Sequence, residues 1–395
     1  MPIFFVSTQP GFEEELCQEL QEFWPYLLNK EAKPHGIALP EVKVIEGGIE
    51  LTVDEILGLQ INFFSKLAGR VLLRLGTFRA RDFAELEFQF RQMKGQLLRS
   101  ESVRLEVTAS QSRLNNEKRL AESFSNATKV KILDGDDVQR IYIRMFDDQC
   151  TVSLDTSGEH LHFRGYRLEQ GEAPLRETIA SFCLRKMLSS TGAAETQKIS
   201  LLDPMMGSGT FLVEAADLYR PNLRRSYAFM GWKNCPALMK SPSLAANYPI
   251  FPRLFAKLVG RDQSEKMLEI SRRNLQRAGL LGDLARPMVV DLAAADIFSE
   301  AASEFAADQD LRTWVLSNPP YGNRLPSDRG IIHYLQQIVR KFNPEKIGLL
   351  VDSQQMKDLV SQKKHLNGLT IISENKFRNG GLPVSLMILS AVDRT

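Results

Sequence analysis

The chain has 395 residues, 43% of them hydrophobic and 25% charged, which predicts about two or three globular domains with sizeable cores; a net charge of +2 by itself argues nothing about nucleic acid. Cys17, Cys150, Cys183 and Cys235 lie too far apart for the paired ligands of zinc sites or redox dithiols, so no metal is expected. Met-Pro-Ile-Phe-Phe-Val-Ser has no basic leader and no apolar run approaches a membrane span, so the expectation is a soluble, reduced, cytoplasmic protein.

Residues 3–8 form an apolar, β-favouring run that Pro10-Gly11 breaks, and a Glu-rich helix follows with Phe12, Leu16 and Leu20 on one stripe. Val42–Ile45 and Gly48–Thr52 read as strands, which completes a small α+β unit over residues 1–65. Ile56, Leu59 and Phe63 keep helical phase at its end. Next come a strand over Arg70–Phe78, a helix over residues 82–99 with Asp82 as N-cap, and a strand over Val103–Ala109. A polar helix over residues 115–132 with a Leu120, Phe124 face, a turn at 134–136 and a strand over Arg140–Phe146 close a second α+β unit. From Lys66 to Lys131 there are 14 Lys or Arg against 7 Asp or Glu, a pattern shared by phosphate-binding footprints and by ordinary solvated faces.

Residues Val103–Leu114 resemble the THUMP domain, an RNA-binding module, here bounded at 66–165. The opening strand, Gly11 turn and acidic helix resemble the ferredoxin-like unit that precedes it. Asp155–Arg167 followed by Ala173-Pro-Leu-Arg-Glu177 is similar to the junction before the catalytic domain in THUMP-containing guanine-N2 RNA methyltransferases. His160 and His162 would face opposite ways in an extended segment, and are poor metal candidates. Arg164 and Arg167 read as phosphate contacts or as caps on a sheet edge.

Residues 166–395 read as strand–helix repeats, hence a doubly wound α/β sheet with ligand at the carboxyl ends of its strands. Lys198–Leu202 delivers Asp203 to the turn Pro204-Met-Met-Gly-Ser-Gly-Thr210, where Gly207 and Gly209 would let a ligand approach backbone N–H groups. The loop is no dinucleotide fingerprint, because the third glycine position falls on Leu212. It resembles the D-P-x-x-G-S-G-T loop of S-adenosylmethionine-dependent methyltransferases, with Met206 a departure that bears on packing; read alone, Asp203 is a helix cap or structural acid, and beside Asn318 the resemblance places it near the cofactor. Leu258–Asp262 ends in an acid able to accept both ribose hydroxyls. Met288–Val290 reads as the third strand, followed by a linker of alanines; by resemblance Asp296 would hold the adenine amine with Ile297 beside the ring, and Asp291 is the competing acid. Residues 228–256, with Pro236, Pro242, Pro249 and Pro252, read as an irregular insertion. A helix over Gly330–Phe342, a strand over Lys346–Val351 and a hairpin of Gly368–Phe377 with Leu382–Ala391 complete the sheet.

Trp314–Leu316 reads as a buried strand ending at Ser317, and Pro319 and Pro320 force an extended turn without backbone donors. The amide oxygen of Asn318 and the carbonyl of Pro319 can accept two hydrogen bonds from one planar amine, while Tyr321 offers a flat face for stacking. Asn318-Pro-Pro-Tyr321 matches the N-P-P-Y motif of amino methyltransferases. Across nearly the whole chain the resemblance is to guanine-N2 methyltransferases of large-subunit ribosomal RNA, which implies a Rossmann-like catalytic sheet, S-adenosylmethionine as cofactor and an RNA partner. A transfer RNA guanine, an adenine-N6 in DNA, a glutamine side chain and a noncatalytic RNA-binding role remain rival readings, as does a purely structural Pro-Pro turn.

Overall fold

The computed structural model describes residues 1–97, 102–135, 138–169, 171, 175–189, 191–241, 244–249, 251, 253–281, 288–299, 310–321, 330–361 and 368–391. Ala173, Pro174, Asp136, Pro242, Pro252 and the last two residues of the helix expected over 82–99 lie outside them. Two compact units form: Met1–His162 with Pro221–Ile250, and Phe163–Arg220 with Phe251–Thr395.

In the first unit, eight strands share one sheet: β1 (Ile3–Ser7), β2 (Val42–Ile45), β3 (Gly48–Thr52), β4 (Arg70–Arg79), β5 (Ser102–Ser110), β6 (Lys131–Ile132), β7 (Gln139–Phe146) and β8 (Gln149–Asp155). Their order is β2-β3-β1-β4-β8-β7-β5-β6, continuous through position 65. Strand β5 runs parallel to β6 and β7, and the other neighbours are antiparallel. Phe12, Leu16 and Leu20 are buried at the helix Glu13–Phe23, which is the stripe its period implied. Asp82 caps the helix Phe83–Met93 by accepting from Glu85 N at 2.9 Å.

Three local expectations are corrected. The helix expected to reach Ile132 spans Glu117–Thr128, because Lys129 turns left-handed at φ 59 and ends it. Strand β8 was not anticipated; Asp147 and Asp148, both at positive φ, make the two-residue turn from β7, and Cys150, Val152 and Leu154 then point inward. His160 and His162 do not lie in a strand, and their rings stack with centroids 5.4 Å apart.

The proline-rich stretch up to Ile250 also belongs to the first unit, although the boundary read at 166 falls before it, and from Phe251 on it belongs to the second. It is built of short turns, Ala228–Gly231, Ala237–Lys240 and Leu244–Asn247, which side chains rather than a sheet hold in place. Tyr227 and Phe229 pack on Phe63, Trp232 Nε1 donates to Gln139 Oε1, and Tyr248 donates to Gln60 Oε1 at 2.8 Å.

The second unit holds β9 (Ile199–Asp203), β10 (Lys257–Asp262), β11 (Val289–Ala294), β12 (Arg312–Ser317), β13 (Lys346–Asp352), β14 (Leu369–Asn379) and β15 (Leu382–Ala391). Their order is β11-β10-β9-β12-β13-β15-β14, parallel up to β13, with β15 antiparallel to both neighbours. This is the doubly wound Rossmann-like sheet with a reversed final hairpin. Gly380 and Gly381 supply its turn at φ 57 and 88, a conformation other residues seldom adopt. Strand β11 runs through the alanine stretch, which therefore pairs with β10 instead of linking.

Ile331, Tyr334, Leu335, Ile338 and Phe342, at helical spacing, bury one stripe of the helix Ile331–Phe342 against Val315, Ile347 and Leu349. Each such side chain contributes roughly 1.5–3 kcal/mol, which fixes where the loops at the carboxyl end of the sheet emerge. Among the described residues no helix is long and apolar enough to cross a membrane. No group of three or more His, Cys, Asp or Glu among them could hold a metal ion.

Candidate functional site

Going outward from β9, the sheet grows through β10 and β11 on one side and through β12 and β13 on the other. Successive crossovers diverge there, which opens a crevice beyond the carboxyl ends of the strands. Asp203 ends β9, Asp262 ends β10, Asp296 follows β11 and Asn318 follows β12. Residues more than a hundred positions apart in sequence thus meet at one rim.

A cavity of about 470 Å³ is lined by Met205, Asp262, Ala295, Asp296, Ile297, Asn318, Pro319 and Tyr321, among others. A second, of about 200 Å³, is lined by Asp203, Gly207, Thr210, Met267 and Gly171, among others, and shares Met205 and Asn318 with the first. Eight of the nine residues singled out from sequence line one cavity or the other. Gly209 is the exception.

Two separate constraints act on the two glycines of the loop. A Cβ on Gly207, at φ 51, would meet nothing within 4 Å, and this backbone faces open space. A Cβ on Gly209, at φ 81, would come within 2.7 Å of Ser271 Oγ and 2.8 Å of Leu275 Cδ1. Gly209 is therefore small for helix packing rather than for ligand access. Met206 is buried with its sulfur over Gly260, where a Cβ would lie 2.3 Å from it. The unusual methionine fits because β10 carries a glycine opposite.

The acids differ in what holds them. Asp203 is 2% exposed, and burial pushes its carboxyl well above the usual range, against a hydrogen bond from Met205 N at 3.1 Å and another from Ser317. Asp262 accepts from Gly207 N at 3.0 Å through Oδ2 and from Ser264 N at 2.9 Å through Oδ1, so the carboxylate joins the glycine loop to β10. Each oxygen keeps a further lone pair, and the residue lines the first cavity. Asp296 accepts from Phe298 N at 2.9 Å, and Ile297 is inserted into the core while its outer surface forms cavity wall. Asp291 lies within β11 and pairs with Arg261 at 3.1 Å and Lys257 at 3.5 Å; those cations lower its pKa despite partial burial. Of the two acids left open by the sequence, Asp296 is the one that lines the cavity.

Tyr321 lines the cavity with its hydroxyl engaged within the motif. Its hydroxyl donates to Asn318 Oδ1 at 2.5 Å, so the phenol folds back onto the motif. The turn itself is tied down by Gln355, whose Nε2 donates to the Pro320 carbonyl at 3.0 Å.

Several contributors carry no local sequence signal. Asn274, fully buried, donates to the carbonyls of Glu169 and Ser208, each at 3.1 Å, and joins the segment before Gly171 to the glycine loop. Glu169 is clamped by Arg273 at 2.7 Å and Arg277 at 3.0 Å, and their hydrogen bonds pull its carboxyl down to about 2. Arg164 pairs with Glu214 at 3.4 Å, and Arg167 pairs with Glu177 at 3.0 Å and donates to the Leu175 carbonyl at 2.6 Å. Burial raises Glu177 to about 7, opposed by Arg167.

A doubly wound sheet with a reversed last strand and polar side chains gathered at its carboxyl rim defines a Rossmann-like methyltransferase domain. The family described as UPF0020, RMKL-like, methyltransferase domain, matches residues 164–366, and the chain belongs to it. The chain is 31% identical over 324 residues to the ribosomal RNA large subunit methyltransferase K/L of Psychromonas ingrahamii, covering 76% of this chain and 40% of that protein. Against the protein of the same name from Pseudomonas putida it is 28% identical over 390 residues, covering 92% and 50%. The chain thus spans about half the length, or less, of these relatives. Its fold matches the solved structure of SMU.472 in complex with SAH with a TM-score of 0.75 at 22% identity, over 100% of this chain and 99% of that one.

Proposed function

We propose that this chain transfers a methyl group from S-adenosylmethionine to the exocyclic N2 of a guanine in RNA, with large-subunit (23S) ribosomal RNA as the substrate. The observation that carries this reading is that Asn318 and Pro319 line the same cavity as Asp262 and Asp296. An amine acceptor pair and two carboxylates for a nucleoside then share one volume, within the size range of small-molecule sites. The name borne by the relatives at 31% and 28% identity supports the RNA class.

The residues present suit the donor. Gly207 leaves open space beside the loop, Asp262 offers acceptors for ribose hydroxyls, and Asp296 with Ile297 offers an acceptor beside an apolar wall for adenine. Asp203 and Gly207 border the end toward the methionine part. Bound there, S-adenosylmethionine supplies an electrophilic methyl on a cationic sulfur.

The guanine N2 lone pair is delocalised into its ring. Asn318 Oδ1 and the Pro319 carbonyl accept its two N–H bonds, which concentrates electron density on nitrogen and fixes the direction of attack. Neither oxygen is basic enough to take a proton, so the proton lost on N–C bond formation leaves to water. The base must leave its stack, and the Tyr321 ring offers a replacement surface. Residues 66–165 would act as the THUMP module that delivers RNA, in the cytoplasm.

Purified protein with tritiated donor, offered ribosomal RNA, transfer RNA and DNA in parallel, tests this. Label in ribosomal RNA is expected, at N2 of guanine by mass spectrometry, and Asn318→Ala should lower kcat by about 10²–10³ as for loss of one preorganised partner. Labelling of DNA alone, or full activity in Asn318→Ala, overturns it.

A further inference from the structure

The ring of each proline fixes its φ, so the direction of the chain at Tyr321 depends on ψ of Pro319 and Pro320. Gln355 restrains the second of these through its bond to the Pro320 carbonyl at 3.0 Å. Gln355 is 6% exposed and is itself held twice, its Oε1 accepting from Asp352 N at 3.2 Å and its N–H donating to Asp352 Oδ1 at 2.8 Å. The turn is thereby fastened to the end of β13. Tyr321 is aimed back along the cavity wall, and its hydroxyl reaches Asn318 Oδ1 at 2.5 Å. The Asn379 side chain, at the end of β14, lies within hydrogen-bonding reach of the same phenol, whose burial raises its pKa and keeps it a proton donor.

A phenol O–H and an amine N–H make the same demand on a carboxamide oxygen. We propose that the Tyr321 hydroxyl is a built-in occupant of the amine seat on Asn318, steadied by Asn379 as a positioning residue, and that the substrate amine has to displace it. This rests on Asn318 being the amine acceptor. Displacement links two requirements in one event. A base that brings an N–H donor satisfies the oxygen the phenol gives up, and its flat face covers the ring that swings away. Uracil has no exocyclic amine, and its ring N3–H lies between two carbonyl oxygens that would meet the acceptors of the seat, so the phenol acts as a filter for amine-bearing bases.

The test is steady-state methylation of protein-free large-subunit ribosomal RNA, with equilibrium binding of the same RNA by filter retention, for wild type, Tyr321→Phe, Asn379→Ala and Asn318→Ala. Tyr321→Phe keeps the ring and deletes the competing donor. Its KM and Kd for RNA should fall about three- to tenfold, the factor that corresponds to one net hydrogen bond. Asn379→Ala should shift both constants the same way by a smaller factor. Unchanged or raised constants in Tyr321→Phe, with Asn318→Ala inactive, overturn the occupant while leaving the acceptor reading intact. Full activity in Asn318→Ala instead removes the acceptor reading on which it rests.

Discussion

Gly207 and Gly209 are two residues apart in one loop, yet alanine at each should fail for a different reason. At Gly209 the new methyl enters a left-handed residue, which costs roughly 1–2 kcal/mol. It also presses on Ser271 Oγ at 2.7 Å and Leu275 Cδ1 at 2.8 Å, in a helix whose other contacts hold it in place. Overpacking of that kind adds about 1–3 kcal/mol, so the sum is about 2–5 kcal/mol. For a unit of this size each kcal/mol lowers Tm by about 2–4 °C, which gives a drop of about 4–20 °C. Gly207→Ala meets no atom within 4 Å and carries the backbone term alone, a drop of about 2–8 °C. Its methyl occupies cavity, so S-adenosylmethionine affinity should weaken about tenfold, the effect of about 1.4 kcal/mol. Scanning calorimetry and titration calorimetry on both variants read these quantities. Equal Tm losses in the two variants, or a silent Gly209→Ala, would refute the division of labour.

Burial raises the Glu177 carboxyl from 4.5 to about 7, so the folded chain holds a proton there that the unfolded chain has released. Its contribution to stability is therefore greatest below pH 4.5, declines as pH rises, and is lost above about 7; Glu177→Gln should flatten that slope in thermal melts from pH 4.5 to 8, and an unchanged slope would assign it to another group. Asn274→Leu strands the buried carbonyl of Ser208 and should cost about 1–3 kcal/mol in urea unfolding, whereas a loss near zero would mean that water replaces the amide. Lys129→Gly relieves the left-handed end of the helix Glu117–Thr128 and should raise stability by about 1 kcal/mol; a fall in urea midpoint would show that the lysine side chain contributes more than the strain costs.

The parts of the site that were legible in the sequence are those whose chemistry is written in adjacent residues. Asp203 with its glycine turn, Asp262 at a strand end and Asn318 before two prolines each combine a short strand-like run, a polar side chain at its end and a following break within a few positions. Strand β8 escaped because Asp147-Asp148 is not among the dipeptides that announce a two-residue turn, although both aspartates adopt positive φ there. The end of the helix at Thr128 escaped for a similar reason, since a lysine and not a glycine takes the left-handed position.

Asn274, Gln355 and Asn379 were illegible for a deeper reason. Each lies on a helix or at a strand end where its own neighbours give it nothing to do, and it contacts a loop that arrives from another part of the chain. Asn274 reaches the glycine loop across 66 residues and Gln355 reaches the Pro-Pro turn across 35. A carboxamide suits such work because it can donate to a carbonyl without bringing charge into a buried place. A carboxylate there would repel the carbonyl, and an ammonium would need a counter-ion. It follows that the glycine loop and the Pro-Pro turn of this rim owe part of their shape to amides supplied from helices elsewhere in the chain. Replacing those amides should alter the geometry presented to substrate before it alters the fold.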